Sequence, residues 1–168
     1  MSGTSIKLAA KGDMQFLVKS LRRLQKAGAN PAPLLKRIAF AGENATLARF
    51  ADEEGPDGEK WVESLRKQLN SGKTMRKDGH LVGGITSDSS ATEARWGSNR
   101  IYAAIHQFGG VIKAKTSKGL AFTLANGDGV ITQSVTMPAR PFLGINKDDG
   151  EDIVALVREY VNEAMGGR

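Results

Sequence analysis

The sequence predicts an α+β fold: N-terminal helices and a C-terminal helix packed on a small, mostly antiparallel sheet, with long loops or arms. Three observations predict it. Apolar residues recur at helical spacing in the first third of the chain and again in the last twenty residues. Between these blocks the apolar runs are short and strand-like, separated by glycine-rich turns. Helices therefore come first, strands next and a helix last, an order that does not fit alternating βαβ units.

At the N-terminus, SIKLA (5–9) alternates apolar and polar residues and predicts a short edge strand. Asp13 is placed to cap a helix in which Met14, Leu17, Val18, Leu21 and Leu24 share one face, with Gly28 as its stop. ANPAP (29–33) breaks the chain and opens a second helix. Its predicted stripe is Leu34, Ile38, Ala41, Ala45 and Ala48, widened by Leu35 and Phe40, and it should end by Glu54-Gly55. GPDG (55–58) is a turn in which Pro fixes φ and Gly accepts a positive one. Trp61, Leu65 and Leu69 follow at single-turn intervals and predict a short helix ending before Ser71-Gly72.

Residues 73–90 are polar and glycine-rich, a loop or arm with one or two strands. TEARWG (92–97) is strand-like, and Ile101, Ala104 and Ile105 predict a short helix. Strand-like pieces follow at Val111-Ile112, Leu120 to Leu124 and Val130 to Val135, with NGDG (126–129) as the hairpin turn between the last two and 113–129 as a second arm. Beyond Pro138 and Pro141, Asp148 or Asp149 is the expected cap of the closing helix. Glu151 and Asp152 suit its positive end, and its inner face is Ile153, Leu156, Val157, Tyr160, Val161 and Ala164.

A chain of 168 residues suits one domain, here 1–168. Hydrophobic residues at 40% and charged residues at 25% are enough to build a core, but aromatics at 6% leave it to aliphatic side chains. The chain has no cysteine and two histidines, which excludes disulfides and thiolate metal sites and argues against a multi-histidine one. No apolar run reaches the roughly 20 residues of a membrane span, and the first residues lack a signal-peptide core. The expectation is a soluble protein of a reducing compartment, with no cofactor.

Chemistry finds little support. No G-x-S-x-G elbow, P-loop or dinucleotide fingerprint occurs. His106 could serve as a base, but no carboxylate is paired with it in the sequence, and a lone histidine beside a Gly-Gly turn is more often a packing residue. The acid pairs Glu53-Glu54 and Asp148-Asp149 sit at helix ends, where dipole complementation explains them. The net charge of +6 and pI of 9.7 favour acidic partners, yet the charges are spread out and no nucleic-acid module is recognisable.

Three segments remain: GPDGEKW (55–61); DGHLVGGI (78–85) leading to WGSNRIYAAIHQFGG (96–110); and MPARPFLGIN (137–146) before the closing helix. In this order and spacing the chain resembles the virion-morphogenesis, or tail completion, family of tailed phages over about residues 14–165. It departs from the pattern at Lys77 to Leu81, where Asp78-Gly79 stands in place of a threonine–glycine turn. The resemblance implies a structural, non-enzymatic virion protein of the neck or upper tail, assembled in the host cytoplasm. It also implies a homo-oligomeric ring, expected to be hexameric, with the tail tube protein and head–tail connector as partners and DNA in the lumen as a non-specific contact. The alternative is a basic nucleic-acid-binding protein of the virion interior or connector.

The structural or interface candidates are Trp61, Tyr102, His106, Gln107, Phe108, Gly109, Gly110, Arg140, Pro141 and Phe142. Tyr102 and His106 lie four apart and share a helix face. Phe108 is the expected core anchor, and Gly109-Gly110 permits a sharp reversal. Pro141 holds Arg140 extended, aiming its guanidinium at a fixed carboxylate or carbonyl, within the chain in preference to across an interface.

Overall fold

The computed structural model describes residues 18–20, 22 and 30–164. Val18, Lys19, Ser20 and Arg22 are helical; the rest of the first predicted helix and the strand at 5–9 lie outside the described residues. Among the described residues, helices α1 (Ala32–Asp52), α2 (Leu65–Asn70), α3 (Ala103–Phe108) and α4 (Lys147–Ala164) combine with six short strands, an α+β fold. The strands are β1 (Ile85–Ser89), β2 (Ala94–Ser98), β3 (Gly110–Lys113), β4 (Leu120–Thr123), β5 (Gly129–Thr132) and β6 (Ser134–Met137). They pair in three two-stranded ladders, β1-β2, β3-β6 and β4-β5. The described residues divide into two compact units: 48–84 with 98–143, and 18–20, 22 and 30–47 with 85–97 and 144–164.

In the second of these, Leu34 of α1 and Val157 of α4 are fully buried together, flanked by Ile38, Leu156, Tyr160 and Val161. Arg37 reaches Glu159 and Glu163 at 3.8 and 3.5 Å across the exposed side of the pair. Asn30 caps α1 through its side-chain oxygen, which accepts from Ala32 N at 3.0 Å. The β1-β2 hairpin lays Trp96 against Gly42; a Cβ there would stand 2.4 Å from the indole, so only glycine fits the middle of this helix.

The buried face of α1 differs from the predicted stripe. Ala48 and Phe40 are exposed, whereas Ala39, Gly42, Thr46, Arg49 and Phe50 are buried. The face carries polar and small residues whose needs are met locally or at a distance: the Thr46 hydroxyl donates to Gly42 O at 2.8 Å, and Arg49 reaches the carbonyl of Phe142. Apolar periodicity is blind to such positions. In α4 the cap is Asn146, not Asp148 or Asp149. Asn146 Oδ1 accepts from Asp149 N and Asp149 Oδ2 accepts from Asn146 N, both at 2.8 Å, a reciprocal capping box. Ala164, predicted on the inner face, is exposed.

In the first unit, α1 ends on Glu53, whose φ of 58° reverses the chain. Its last carbonyls are met by ammonium groups, Lys60 Nζ on Asp52 O at 2.9 Å and Lys73 Nζ on Ala51 O. The GPDG turn closes through Gly58 N to Gly55 O, with Gly58 at φ 76°. Trp61 lies before α2 and not in it: Ser64 caps that helix by accepting from Lys67 N. Leu65 and Leu69 therefore face solvent. Burial would raise the Glu53 carboxyl, but Lys67 at 2.9 Å and the amide of Thr74 outweigh it and hold it below its ordinary range.

The predicted strand at 130–135 divides at Gln133. Residues before it pair with β4 and residues after it with β3. The tip closes as the sequence predicts, with Leu124 N bonded to Asp128 O and Gly127 at φ 95°.

Candidate functional site

The resemblance-bearing segments meet within the first unit. Residues 140–143 belong to no ladder, so their backbone groups need other partners. Side chains and one carbonyl supply them. Gln107, buried on α3, accepts from Phe142 N and Leu143 N at 3.0 Å each and donates to Leu143 O at 2.9 Å. A primary amide presents the same donor and acceptor as a peptide group, so Gln107 stands in for a neighbouring strand. Trp61 Nε1 donates to Pro141 O at 2.8 Å, Arg49 to Phe142 O at 3.3 Å, and Arg140 N to His106 O at 2.7 Å.

Aromatic rings fill the space beneath. Phe50 packs edge-on to Trp61 at 5.3 Å and tilted to Phe142 at 5.2 Å. Phe50 and Phe142 are wholly buried, contributing about 1.5–3 kcal/mol each. The Arg140 side chain is buried too; its Nε donates to Val62 O at 2.6 Å, and burial lowers the guanidinium from its ordinary value. The partner is thus a carbonyl of the same chain. Gly109, at φ 66°, lets the turn after α3 touch the third segment: a Cβ there would stand 2.7 Å from Ala139 N.

Phe108 is not a core anchor. It is 61% exposed, because α3 buries the face carrying Ala103 and Gln107, and the next residue lies about 100° around the helix. Tyr102 and His106 do share a face, edge to face at 6.1 Å. His106 Nδ1 is buried without a hydrogen-bond partner, and burial, with Arg140 nearby, pushes the imidazole below its ordinary value. A histidine held neutral beside a guanidinium, with no carboxylate on its Nδ1, has the surroundings of a packing residue.

The middle segments are knitted in the same way. Arg100 Nε donates to His80 O at 2.8 Å, and Asn99 N to Gly84 O at 3.1 Å. A Cβ on Gly84 would collide with the Arg100 side chain at 2.7 Å. Sequence reasoning missed Arg49 and Phe50, and it named Gln107 without a role. The signal for all three is a polar or aromatic residue at a helix position next to an apolar face.

The fold and this frame define a class: an α+β subunit whose most recognisable residues build the subunit itself. The phage virion morphogenesis family matches residues 13–162, and the chain belongs to it. The chain is 32% identical over 146 residues to "Mu-like prophage FluMu G protein 2" of Haemophilus influenzae, covering 87% of this chain and 89% of that one. It is 24% identical over 157 residues to "Putative capsid assembly protein G" of Escherichia phage Mu, covering 90% of each. No solved structure matches significantly. A virion-associated role in phage morphogenesis, structural or in assembly, follows from the family.

Proposed function

We propose that this protein is a structural subunit of a tailed-phage particle that completes or terminates the tail and helps join tail to head as part of an oligomeric ring at the neck, without enzymatic activity. Tail tube protein and connector are the partners of this reading. The phage Mu relative carries a capsid-assembly name, which suits a position where head and tail meet.

The observation that supports assembly most directly is the β-ribbon 110–137. Not one of its residues is buried, and it exposes apolar side chains, Ile131 at 72%. Two-stranded ribbons are marginal on their own, and apolar surface of this kind marks sites that a partner covers. Light scattering of the purified protein, alone and with tail tubes or connectors, tests the reading. Self-association and capture by tubes or connectors are expected; a monomer that joins neither would end it. The second reading, DNA binding, is favoured by lysines on the same ribbon, and a salt titration separates it, since phosphate contacts weaken steeply with salt.

A further inference from the structure

The ribbon has an unusual build. β3 pairs with β6 from Gly110↔Met137 to Lys113↔Ser134, and Ala114 N continues the ladder to Gln133 O. Pairing resumes at Leu120↔Thr132. Residues 115–119, Lys-Thr-Ser-Lys-Gly, thus have no counterpart on the opposite strand and form a bulge. It closes on itself through Gly119 N to Thr116 O and is held by Gln133 Nε2 on Ser117 O at 3.1 Å. Lys115, Thr116, Ser117 and Lys118 are all exposed. Lys113 is exposed as well, and the register puts its side chain on the same face as exposed Ser134 and Thr136.

Charge is segregated along this part of the chain. Between Glu93 and Asp148 there is one carboxylate, Asp128, against seven lysines and arginines. Four of the seven are engaged: Arg95 with Asp88, Arg100 with His80 O, Arg140 with Val62 O and Lys147 with Glu151. The other three are Lys113, Lys115 and Lys118, and none makes an ion pair among the described residues. Asp128 does not compensate them. It lies at the ribbon's tip, bonded by Asn126 Nδ2 at 2.6 Å. Along the strand it is about 20 Å of extended chain from Ser134, beyond the Debye length at physiological salt.

Three uncompensated ammonium groups this close in sequence attract a polyanion. Their surroundings say which one. Lysine and hydroxyl donors are side chains that contact phosphate and sugar. Arginine and aromatic side chains, the anchors of protein interfaces and the platforms on which unpaired bases stack, are absent from 110–119 and 133–137. Gln133, the one side chain there built for a bidentate base contact, is already bonded to Ser117 O. The extended stretch 113–118 spans at most about 20 Å, over which one strand of a duplex presents about six phosphates, so each ammonium can find its own.

We infer that residues 113–118, with Ser134 and Thr136, form a contact surface for the phosphate backbone of double-stranded DNA, without reading its sequence. The inference rests on the DNA-binding reading above and says which surface carries it; ring formation is not required for it.

Charge removal at constant net charge tests this with the full-length protein. Lys113→Gln/Lys115→Gln/Lys118→Gln forms the ribbon variant. Lys36→Gln/Lys77→Gln/Lys147→Gln, at exposed positions elsewhere, forms a control with the same loss of charge. Both are checked by circular dichroism for an unchanged fold. Fluorescence anisotropy of a labelled duplex is then followed from about 50 to 200 mM salt. The slope of log affinity against log salt should fall in magnitude by about 2–3 per bound copy in the ribbon variant, with affinity at the lowest salt roughly tenfold weaker or more. The control should keep the wild-type slope. Wild-type protein that does not bind the duplex at the lowest salt overturns both the DNA reading and this surface. Wild-type protein that binds while the ribbon variant keeps its slope, or while the control loses as much, overturns this surface and leaves the DNA reading standing. Tighter binding to a single strand than to the duplex, or strong preference among duplex sequences, overturns the backbone assignment.

Discussion

The frame around residues 140–143 and the ribbon 110–137 belong to the same compact unit and are joined at Gly109-Gly110, yet they are built by opposite means. The frame has no ladder. Its backbone is satisfied by side chains and a carbonyl 34 to 93 positions away in the chain, from Gln107, Arg49, Trp61 and His106, over buried aromatic rings. The ribbon has regular ladders between strands close in sequence and no buried residue at all. Regular secondary structure is therefore no measure of where this unit keeps its stability. The irregular segment holds the core, and the regular one offers surface.

Substitutions can break that comparison. Phe142→Ala should have the largest effect, a loss of about 3–5 kcal/mol in urea unfolding followed by tryptophan fluorescence, since a fully buried ring is replaced by a cavity. Gln107→Leu should cost about 2–4 kcal/mol, because Phe142 N, Leu143 N and Leu143 O lose their partner while remaining buried. Gln133→Leu, which removes an exposed bond of the ribbon, should stay within about 0.5 kcal/mol. Equal losses at the two glutamines would refute the contrast.

His106 sharpens the contrast through pH. Its folded pKa lies below the ordinary 6.5, so its contribution to stability is full above 6.5 and is lost as the pH falls from there through the folded value. Thermal melts should show this acid limb, and His106→Gln should flatten it. Glu53, held below 4.5, adds a further limb at lower pH, beginning as the pH falls beneath 4.5. The smallest effect is expected for Ile131→Thr, under about 0.5 kcal/mol in dilute monomer, because its side chain is already in water. A large loss there would mean that the ribbon has its own core.

Features fixed by one or a few neighbouring residues were legible in the sequence. The turns at Gly58 and Gly127, the reversal at Gly109, the start of α1 after Asn30 and the inner face of α4 around Val157 all follow from φ preferences, capping and periodicity. The errors have a common cause. Phe40, Ala48 and Phe108 are expected on buried faces and Leu65 and Leu69 in one helix with Trp61, because they are apolar, and each of the five is exposed. Thr46 and Arg49 carry no apolar signal, and Gln107 is named as a candidate without a role; each is polar, and each is buried.

By itself the sequence determined the α+β class, the turns, the family and the three segments that mark it. The role of those segments was left to the tertiary structure. Whether Gln107 or Arg140 faces solvent depends on carbonyls and amides brought next to it from distant parts of the chain. A buried polar group is stable only where such partners arrive. Local patterns encode the elements, while the fate of each polar side chain is decided when the elements meet.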